Sequence, residues 1–150
     1  MHNQNKITLS SAAYQQLISH LVNIEDHLDG LIDEYFPSLT IEREEFSELI
    51  AKYINELNAV MGKISVSADS GNIFPFVIIG SEVTIKDLDD QETYQYCISL
   101  PYQKDTRKRY ISYMSPVGRA LLLKRTGEQV SVQIPNGISR YQIESIRLYA

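Results

Sequence analysis

Carboxylates gather around the proline at position 37, and they form the largest group of side chains in this sequence that could do chemistry. Five acids flank this bend: Asp33, Glu34, Glu42, Glu44 and Glu45. Those after the bend fall in the first turns of a predicted helix, where the helix dipole stabilises an anion by roughly 0.3 to 1 kcal/mol. Those before it fall in the last turn of another predicted helix, where the dipole disfavours an anion. Asp33 and Glu34 are therefore the better functional candidates, and a solvated helix end is the alternative.

A basic stretch lies in the second half of the chain. Its members are Lys104, Arg107, Lys108 and Arg109, and Arg119, Lys124 and Arg125 follow. In a loop between strands, such a stretch could contact an acidic protein surface or the phosphates of a nucleic acid. A solvated, charged loop is the alternative.

Familiar motifs for catalysis or metal binding are absent from the sequence. His20 and His27 are seven residues apart, but two imidazoles without a third ligand do not define a metal site, so a pair on the surface is predicted. There is no glycine-rich phosphate loop, no Cys-x-x-Cys pair and no Gly-x-Ser-x-Gly elbow. We therefore predict that the protein itself binds neither a metal nor a cofactor.

The charge of the chain is divided unevenly between its halves. The 150 residues carry a net charge of −5, but residues 1–64 hold ten acids and four bases, whereas residues 65–150 hold nine acids and ten bases. Such an acidic arm disfavours autonomous binding to nucleic acid, which depends on clustered Lys and Arg. Cys97 is the only cysteine, so no intrachain disulfide can form. No apolar run is long enough to span a bilayer and no secretory signal is recognisable, which predicts a cytoplasmic protein without membrane contact.

Two helices are predicted in the acidic arm. Apolar residues recur at three- and four-residue steps from Leu9 to Tyr35 and again from Ile41 to Met61. The candidate N-caps are Thr8, Ser10 or Ser11 for the first helix and Ser38 or Thr40 for the second. Because only about four residues join them, the helices should fold back as an antiparallel coiled-coil finger over residues 1–64, about 35 to 40 Å long. Two helices leave part of their apolar surface uncovered, and this surface could support a weak dimer. A monomer and a weak dimer are therefore both predicted as possible states.

A sheet domain is predicted over residues 74–150, after a linker at residues 65–73. Short apolar or alternating runs predict its first strands at residues 74–79, 83–88 and 94–100. Together with the arm they define an α+β fold, in which a helical hairpin precedes an antiparallel sheet with one short helix.

Turn signals divide the strands of this domain. Asp89-Asp90-Gln91 predicts a turn between two strands, and Pro135-Asn136-Gly137 predicts a hairpin before the last strand. A bulge near Glu144 and Ser145 would bring the apolar residues of the last strand onto one face.

The most distinctive stretch of the domain reads Ser115-Pro116-x-x-Arg119-Ala120-Leu121-Leu122. Ser115 is a suitable N-cap, and Pro116 suits the first helical position because its missing N–H would have no partner there. Gly127 lies where the turn after this short helix is expected.

This stretch, with Gly127 and Pro135-x-Gly137, resembles the C-terminal domain of the Gre-type bacterial transcript-cleavage factors. The resemblance runs from about Ser81 to Tyr149. It implies an FKBP-like domain that docks on RNA polymerase beside the secondary channel, through the corner between a strand and the short helix. The residues at that corner are Met114, Ser115, Pro116 and Arg119. Many Gre proteins have Asp where this chain has Met114, which implies an altered docking surface.

The same resemblance implies that the finger enters the secondary channel, where two acidic residues at its tip help hold a catalytic Mg²⁺ and a backtracked transcript is hydrolysed. The family's tip pattern, Gly-Asp-Leu-Ser-Glu-Asn-Ala-Glu-Tyr, is absent here. The hairpin is also about a dozen residues shorter than a standard Gre finger, which removes about 9 Å of reach. In this respect the chain is similar to the short-finger relatives of the regulator of nucleoside diphosphate kinase type.

The resemblance leads us to predict a regulator that binds RNA polymerase, meets nucleic acid only indirectly within the transcription complex, and is not itself an enzyme. Its shortened finger should not stimulate transcript cleavage. One alternative is a true cleavage stimulator acting through Asp33, Glu34 or Glu42, with Mg²⁺ at the polymerase active site. Another, by fold analogy alone, is a peptidyl-prolyl isomerase, although the chain lacks the Trp that floors such a pocket.

Overall fold

The computed structural model describes residues 6–99 and 109–148, apart from the side chains of residues 28, 29 and 31. The chain divides into two compact units, residues 1–69 and residues 70–150, which we call the hairpin unit and the sheet unit.

The hairpin unit is built on two long helices, α1 at Ser11–Tyr35 and α2 at Ile41–Met61. Each helix begins at one of its candidate caps. The hydroxyls of Ser10 and Thr40 each accept a hydrogen bond, at 3.2 Å, from the amide three residues further on. The 25 residues of α1 extend about 37 Å. In the part of the chain that the structure describes, no helix combines the length and the apolarity needed to cross a membrane.

The facing sides of α1 and α2 form an apolar core. Its buried side chains are Leu17, Leu21, Ile24, Ile32, Phe46, Ile50, Tyr53 and Leu57. The ring of His20 is half-buried beside this core, with its Nε2 atom 2.7 Å from the Tyr53 hydroxyl oxygen. The prediction of a histidine pair on the surface is therefore wrong for His20, because this residue lies on the side of α1 that faces α2. His27 is exposed, as predicted.

A short parallel pair of strands joins the start of α1 to the end of α2. Strand β1 at Ile7–Leu9 precedes α1, strand β2 at Ile64–Val66 follows α2, and Ile7 pairs with Ile64. Because the chain enters and leaves the hairpin at the same end, α1 and α2 are antiparallel. Sequence analysis missed both strands, since three residues are too few to establish an alternating pattern. Residues 65 and 66, assigned to the linker from the sequence, belong to β2.

The sheet unit contains five strands in the order β5-β4-β3-β7-β6. Its elements are β3 at Ser81–Asp87, β4 at Thr93–Ser99, β5 at Tyr110–Ser112, α3 at Pro116–Leu121, β6 at Gln129–Ile134 and β7 at Gly137–Leu148. The fold is α+β, as predicted. The sheet is antiparallel except for the β4–β5 pair, which is parallel. Short turns join β3 to β4 and β6 to β7, whereas the longer connection before β5 allows a parallel strand.

Two local predictions in the sheet are confirmed. Thr84 pairs with Ser145 and Ile85 pairs with Ile143, so Glu144 is the extra residue of a bulge. The hairpin from β6 to β7 turns at the predicted Pro-Asn-Gly sequence, where Gly137 has a φ of +135°. Glycine suits this position because other L residues rarely adopt such a conformation.

Residues 74–79 are largely buried but do not form the predicted strand. Pro75 has no N–H to donate to a ladder, which interrupts strand pairing. The amide of Phe74 donates to the Ile146 carbonyl at 3.1 Å, and Val77 exchanges two hydrogen bonds of 2.9 Å with the backbone just after α3. The segment therefore connects β7 to the residues that follow α3.

Helix α3 contacts β5 and β6, the two edge strands of the sheet. The sheet must curve for both of its edges to meet one helix, as twisted sheets do. Tyr113, which follows β5, and Leu121, the last residue of α3, are each 0% exposed. This packing fixes the position of the corner between β5 and α3.

Candidate functional site

The hairpin tip, residues 33–45, is held together by one arginine. Arg43 donates from Nη2 to the Asp33 carboxylate at 2.7 Å and from Nη1 to the Phe36 carbonyl. These bonds join the last turn of α1, the loop and the first turn of α2. The Phe36 ring also packs against the Phe46 ring, with 5.1 Å between the centroids. The loop is thus fixed by an ion pair and by an aromatic contact.

The ion pair separates the predicted carboxylate candidates into two kinds. Asp33 is paired with Arg43, whereas Glu34 and Glu42 are exposed to solvent. Among the residues that the structure describes, no group of three or more His, Cys, Asp or Glu side chains is placed to hold a metal ion. The tip therefore concentrates negative charge without gathering it into a metal-binding cluster of this chain alone.

Sequence reasoning missed the role of Arg43, although a signal was present. Arg43 is the only base among residues 33–45. It lies in the first turn of α2, where the helix dipole disfavours a cation. A cation in that position needs a nearby anion, and Asp33 supplies it across the bend.

The tip also exposes apolar side chains. Leu39 is 95% exposed and Ile41 is 71% exposed. The sequence analysis included Ile41 in the apolar stripe of α2, and this is wrong. As the first residue of α2, Ile41 stands beyond the stretch in which the two helices face each other.

The second candidate site is the corner, residues 112–119, where β5 leads into α3. Ser115 Oγ donates to the Ser112 carbonyl at 2.7 Å and accepts a hydrogen bond from the Gly118 amide at 3.1 Å. The Ser112 hydroxyl accepts a further bond from the Met114 amide at 3.0 Å. The prediction that Ser115 caps α3 is confirmed. The Ser115 hydroxyl acts as both donor and acceptor within the corner.

Gly118 is the residue of the corner that sequence analysis missed. A Cβ atom at this position would lie 2.0 Å from the Ser112 carbonyl oxygen and 3.0 Å from Tyr113 Cα. These neighbours are backbone atoms and cannot move aside alone. The only signal in the sequence was a glycine inside a short helix, where glycine is otherwise unfavourable.

The corner brings the four predicted docking residues onto one turn. Pro116 is exposed, and Met114, Ser115 and Arg119 are half-buried. Met114, Pro116 and Arg119 together offer apolar and cationic side chains, a composition suited to contact with another protein. The hydrogen bonds of the Ser112 and Ser115 hydroxyls fix the backbone that carries these side chains.

Most of the predicted basic stretch cannot be assessed, because Lys104, Arg107 and Lys108 lie outside the described residues. Arg109 is described and exposed, with its guanidinium carbon 6.0 Å from the centroid of the Tyr94 ring. This contact is at the outer limit of a cation–π interaction.

A concave surface of about 670 Å³ lies over β3 and β4, with Arg109 at its lining. Much of the lining is polar: Thr84 Oγ1 accepts a hydrogen bond from Gln95 at 3.4 Å, and Glu82 pairs with Arg147 at 3.2 Å. These groups already bond to one another. The acids at the tip and the four corner residues take no part in this surface.

Comparison with protein families gives a match over residues 74–148. The matching family model is described as the C-terminal domain of the transcription elongation factor GreA/GreB. The matched stretch begins at the buried segment before β3 and ends with β7, so it contains the corner.

Several curated proteins are similar to this chain. The transcription elongation factor GreA of Desulfovibrio desulfuricans is 39% identical over 102 residues, which cover 68% of this chain and 61% of that protein. The chain thus spans less than two thirds of this relative. GreA of Thermosipho melanesiensis is 31% identical over 153 aligned residues, covering 95% of this chain and 97% of that protein. Because this alignment is longer than the 150-residue chain, the relative has residues that this chain lacks.

Solved structures that match this chain include a GreA/GreB elongation factor from Nitrosomonas europaea, at 24% identity and a TM-score of 0.48 over 96% of this chain and all of that one. Another is GreA factor homolog 1 (Gfh1) of Thermus thermophilus, at 20% identity and a TM-score of 0.43 over 95% of this chain and 99% of that one.

Proposed function

This chain belongs to the GreA/GreB family of transcription elongation factors, and from that premise we propose that it binds RNA polymerase without stimulating transcript cleavage. In this proposal the corner docks on the polymerase beside the secondary channel. The hairpin projects its tip towards the channel but is too short, and wrongly equipped, to complete a metal site there.

The ion pair between Arg43 and Asp33 is the observation that carries the proposal. A Mg²⁺ ion bound by Asp33 would have to displace the guanidinium or accept a like charge beside it. The carboxylate oxygen is 2.7 Å from Arg43 Nη2, so both cations cannot occupy the same side of it. Cleavage chemistry needs ligands placed to within about 0.5 Å. Arg43 thus places a positive charge beside Asp33 Oδ1, which makes Asp33 a weaker Mg²⁺ ligand than a carboxylate with no cation beside it.

Two observations from the sequence support the same proposal. The tip pattern of the cleavage factors is missing from residues 33–45. The relative from Thermosipho melanesiensis has residues that this chain lacks, and we propose that they belong to its finger. Each lost residue pair shortens an antiparallel hairpin by about 1.5 Å.

The geometry of the corner supports the docking half of the proposal. Pro116 is exposed on a turn whose backbone is fixed by the Ser115 hydroxyl and by the close approach of Gly118 to Ser112. A binding surface carried by a fixed backbone loses little conformational entropy on association.

Competition for polymerase tests docking directly. We expect the protein to displace a labelled GreA factor from purified RNA polymerase, because both would use the same surface. Arg119→Glu should weaken this competition, whereas Arg140→Glu, an equal charge change at an exposed residue of β7, should leave it unchanged. Failure of the wild-type protein to bind polymerase at low salt would refute the proposal. Thermal unfolding of both variants provides the control for correct folding.

The isomerase alternative gains no support from the described residues. Tyr113 and Leu121, beside and within α3, are each 0% exposed, so neither lines an open pocket. The concave surface over β3 and β4 is polar and open. Since fold alone does not establish an activity, we do not carry this alternative further.

A further inference from the structure

Two exposed aliphatic side chains stand at the end of the hairpin, and nothing within the described residues covers them. Leu39 is 95% exposed and Ile41 is 71% exposed. One exposed aliphatic residue is ordinary in a protein. Here two lie two residues apart in sequence, Leu39 in the loop and Ile41 at the start of α2, in a tip where Arg43 bonds to Asp33 and to the Phe36 carbonyl. The backbone on either side of these two residues is therefore tied to both helices.

Negative charge surrounds this apolar pair. Residues 33–45 contain five acids and one base, and that base is paired with Asp33. The remaining acids of the tip are all exposed: Glu34, Glu42, Glu44 and Glu45. The whole of α1 contains neither Lys nor Arg. The tip thus carries two exposed aliphatic residues, which we call its apolar centre, flanked in sequence by exposed acids, which we call its acidic rim.

We propose that the hairpin tip docks into an apolar recess of RNA polymerase that is rimmed by Lys and Arg side chains. The inference rests on the proposed function, and it adds the chemistry of the surface that receives the finger. Charge complementarity at the rim would steer association, while Leu39 and Ile41 would fill the recess and slow dissociation.

The charge of the tip argues against other occupants. A second copy of the tip would bring two acidic rims together. Nucleic-acid phosphates and anionic membranes would be repelled by the same carboxylates. A protein surface with an apolar recess and basic residues around it would match both the aliphatic residues and the acids of the tip.

A serine pair at the apolar positions tests the inference. The double variant Leu39→Ser/Ile41→Ser should bind purified RNA polymerase at least about tenfold more weakly than the wild-type protein. Val22→Ser is the matched control, because Val22 is 53% exposed near the middle of α1, outside the tip, and the affinity of this variant should be unchanged. Circular dichroism of all three proteins checks that the helices are intact.

The rim is tested by salt dependence. Replacing Glu42, Glu44 and Glu45 with Gln should slow association and flatten its dependence on ionic strength. A photo-crosslinking amino acid at position 39, but not at position 22, should attach to a polymerase segment that contains Lys or Arg beside apolar residues.

The outcomes separate this inference from the proposed function. If the serine pair binds polymerase as well as the wild-type protein, the tip inference is overturned while docking through the corner stands. If the wild-type protein does not bind polymerase at all, both are overturned. If the protein self-associates in sedimentation and the serine pair abolishes that association, the tip contacts a second copy instead, and the inference is again wrong.

Discussion

The hairpin tip and the corner are both turns that lead into a capped helix, but they are fixed in different ways. At the tip, Thr40 caps α2 and the Arg43 side chain joins the loop to α1. At the corner, Ser115 caps α3, and the backbone of Gly118 lies directly against the backbone of Ser112. One turn depends on a side chain, and the other depends on the close contact of two main-chain segments.

This difference has a consequence for how each site can change. A turn fixed by side chains, here the Arg43 bonds and the Phe36–Phe46 contact, can acquire new surface chemistry through a few substitutions. A turn fixed by main-chain contact has little such freedom. This difference agrees with the proposed function, in which the corner docks on the polymerase and the tip is altered.

The largest effect is expected at Gly118. Gly118→Ala should destabilise the sheet unit by about 3 kcal/mol or more, because the new Cβ would overlap the Ser112 carbonyl oxygen. Gly30→Ala in α1 is the control: no atom lies within 4 Å of its Cβ position, and alanine should stabilise the helix by about 1 kcal/mol. Hydrogen exchange followed by mass spectrometry reports each unit separately. Equal tolerance of both substitutions would contradict the main-chain account of the corner.

Acid should weaken the hairpin unit through His20. Desolvation by burial lowers the pKa of His20 from 6.5 to about 4, so the unfolded chain binds the proton more readily than the folded one. The contribution of His20 to the unfolding free energy is therefore complete above pH 6.5. Up to about 3 kcal/mol of this free energy is lost as the pH falls towards 4. Denaturation followed by the circular dichroism signal of the helices, repeated at several pH values, measures this loss.

Carboxylates titrate in the same range, so the comparison must be made between variants. His20→Gln should reduce the acid sensitivity between pH 6.5 and 4.5, whereas His27→Gln, at an exposed residue of α1, should not. Identical pH profiles for His20→Gln and the wild-type protein would contradict the role given to His20.

The two caps offer a closer comparison. Ser115→Ala should destabilise the sheet unit by about 1 to 2 kcal/mol, because the Gly118 amide loses its acceptor and the Ser112 carbonyl loses a donor. Thr40→Ala should cost the hairpin unit about 1 kcal/mol or less, since its cap is exposed. Chemical denaturation of both variants measures the two losses of unfolding free energy. A larger loss for Thr40→Ala than for Ser115→Ala would contradict this prediction.

The smallest effect is expected from the ion pair itself. Arg43→Met should lower the unfolding free energy of the hairpin unit by less than about 1 kcal/mol, because the Asp33 side chain is 70% exposed and water screens the pair. Asp33→Asn should cost a similar amount. The double variant should cost little more than either single change, and strict additivity of the two losses would show that the residues do not interact in solution.

Patterns that extend over many residues predicted much of the fold. Both long helices, their caps and the bulge at Glu144 follow from periodicity and local residue preference. The corner helix was predicted because Ser115 and Pro116 are specific to a helix start. The buried segment at residues 74–79 was mistaken for a strand, because burial alone produces the same apolar run.

Contacts between residues distant in sequence could not be predicted in the same way. The pairing of β1 with β2 brings together three-residue segments separated by the whole hairpin. The contact of His20 with Tyr53 depends on the relative rotation of two helices. The bond from Arg43 to Asp33 depends on the path of the loop. Each requires the three-dimensional arrangement, because no local pattern encodes the partner.

The rate of transcript shortening in backtracked elongation complexes tests the central claim most directly. At saturating concentration, this protein should produce no shortening above background, and it should slow the shortening produced by an added GreA factor. The claim would be contradicted if the protein shortened transcripts by itself and if this activity disappeared in the Asp33→Ala, Glu34→Ala or Glu42→Ala variants but not in Glu48→Ala, an exposed acid further along α2.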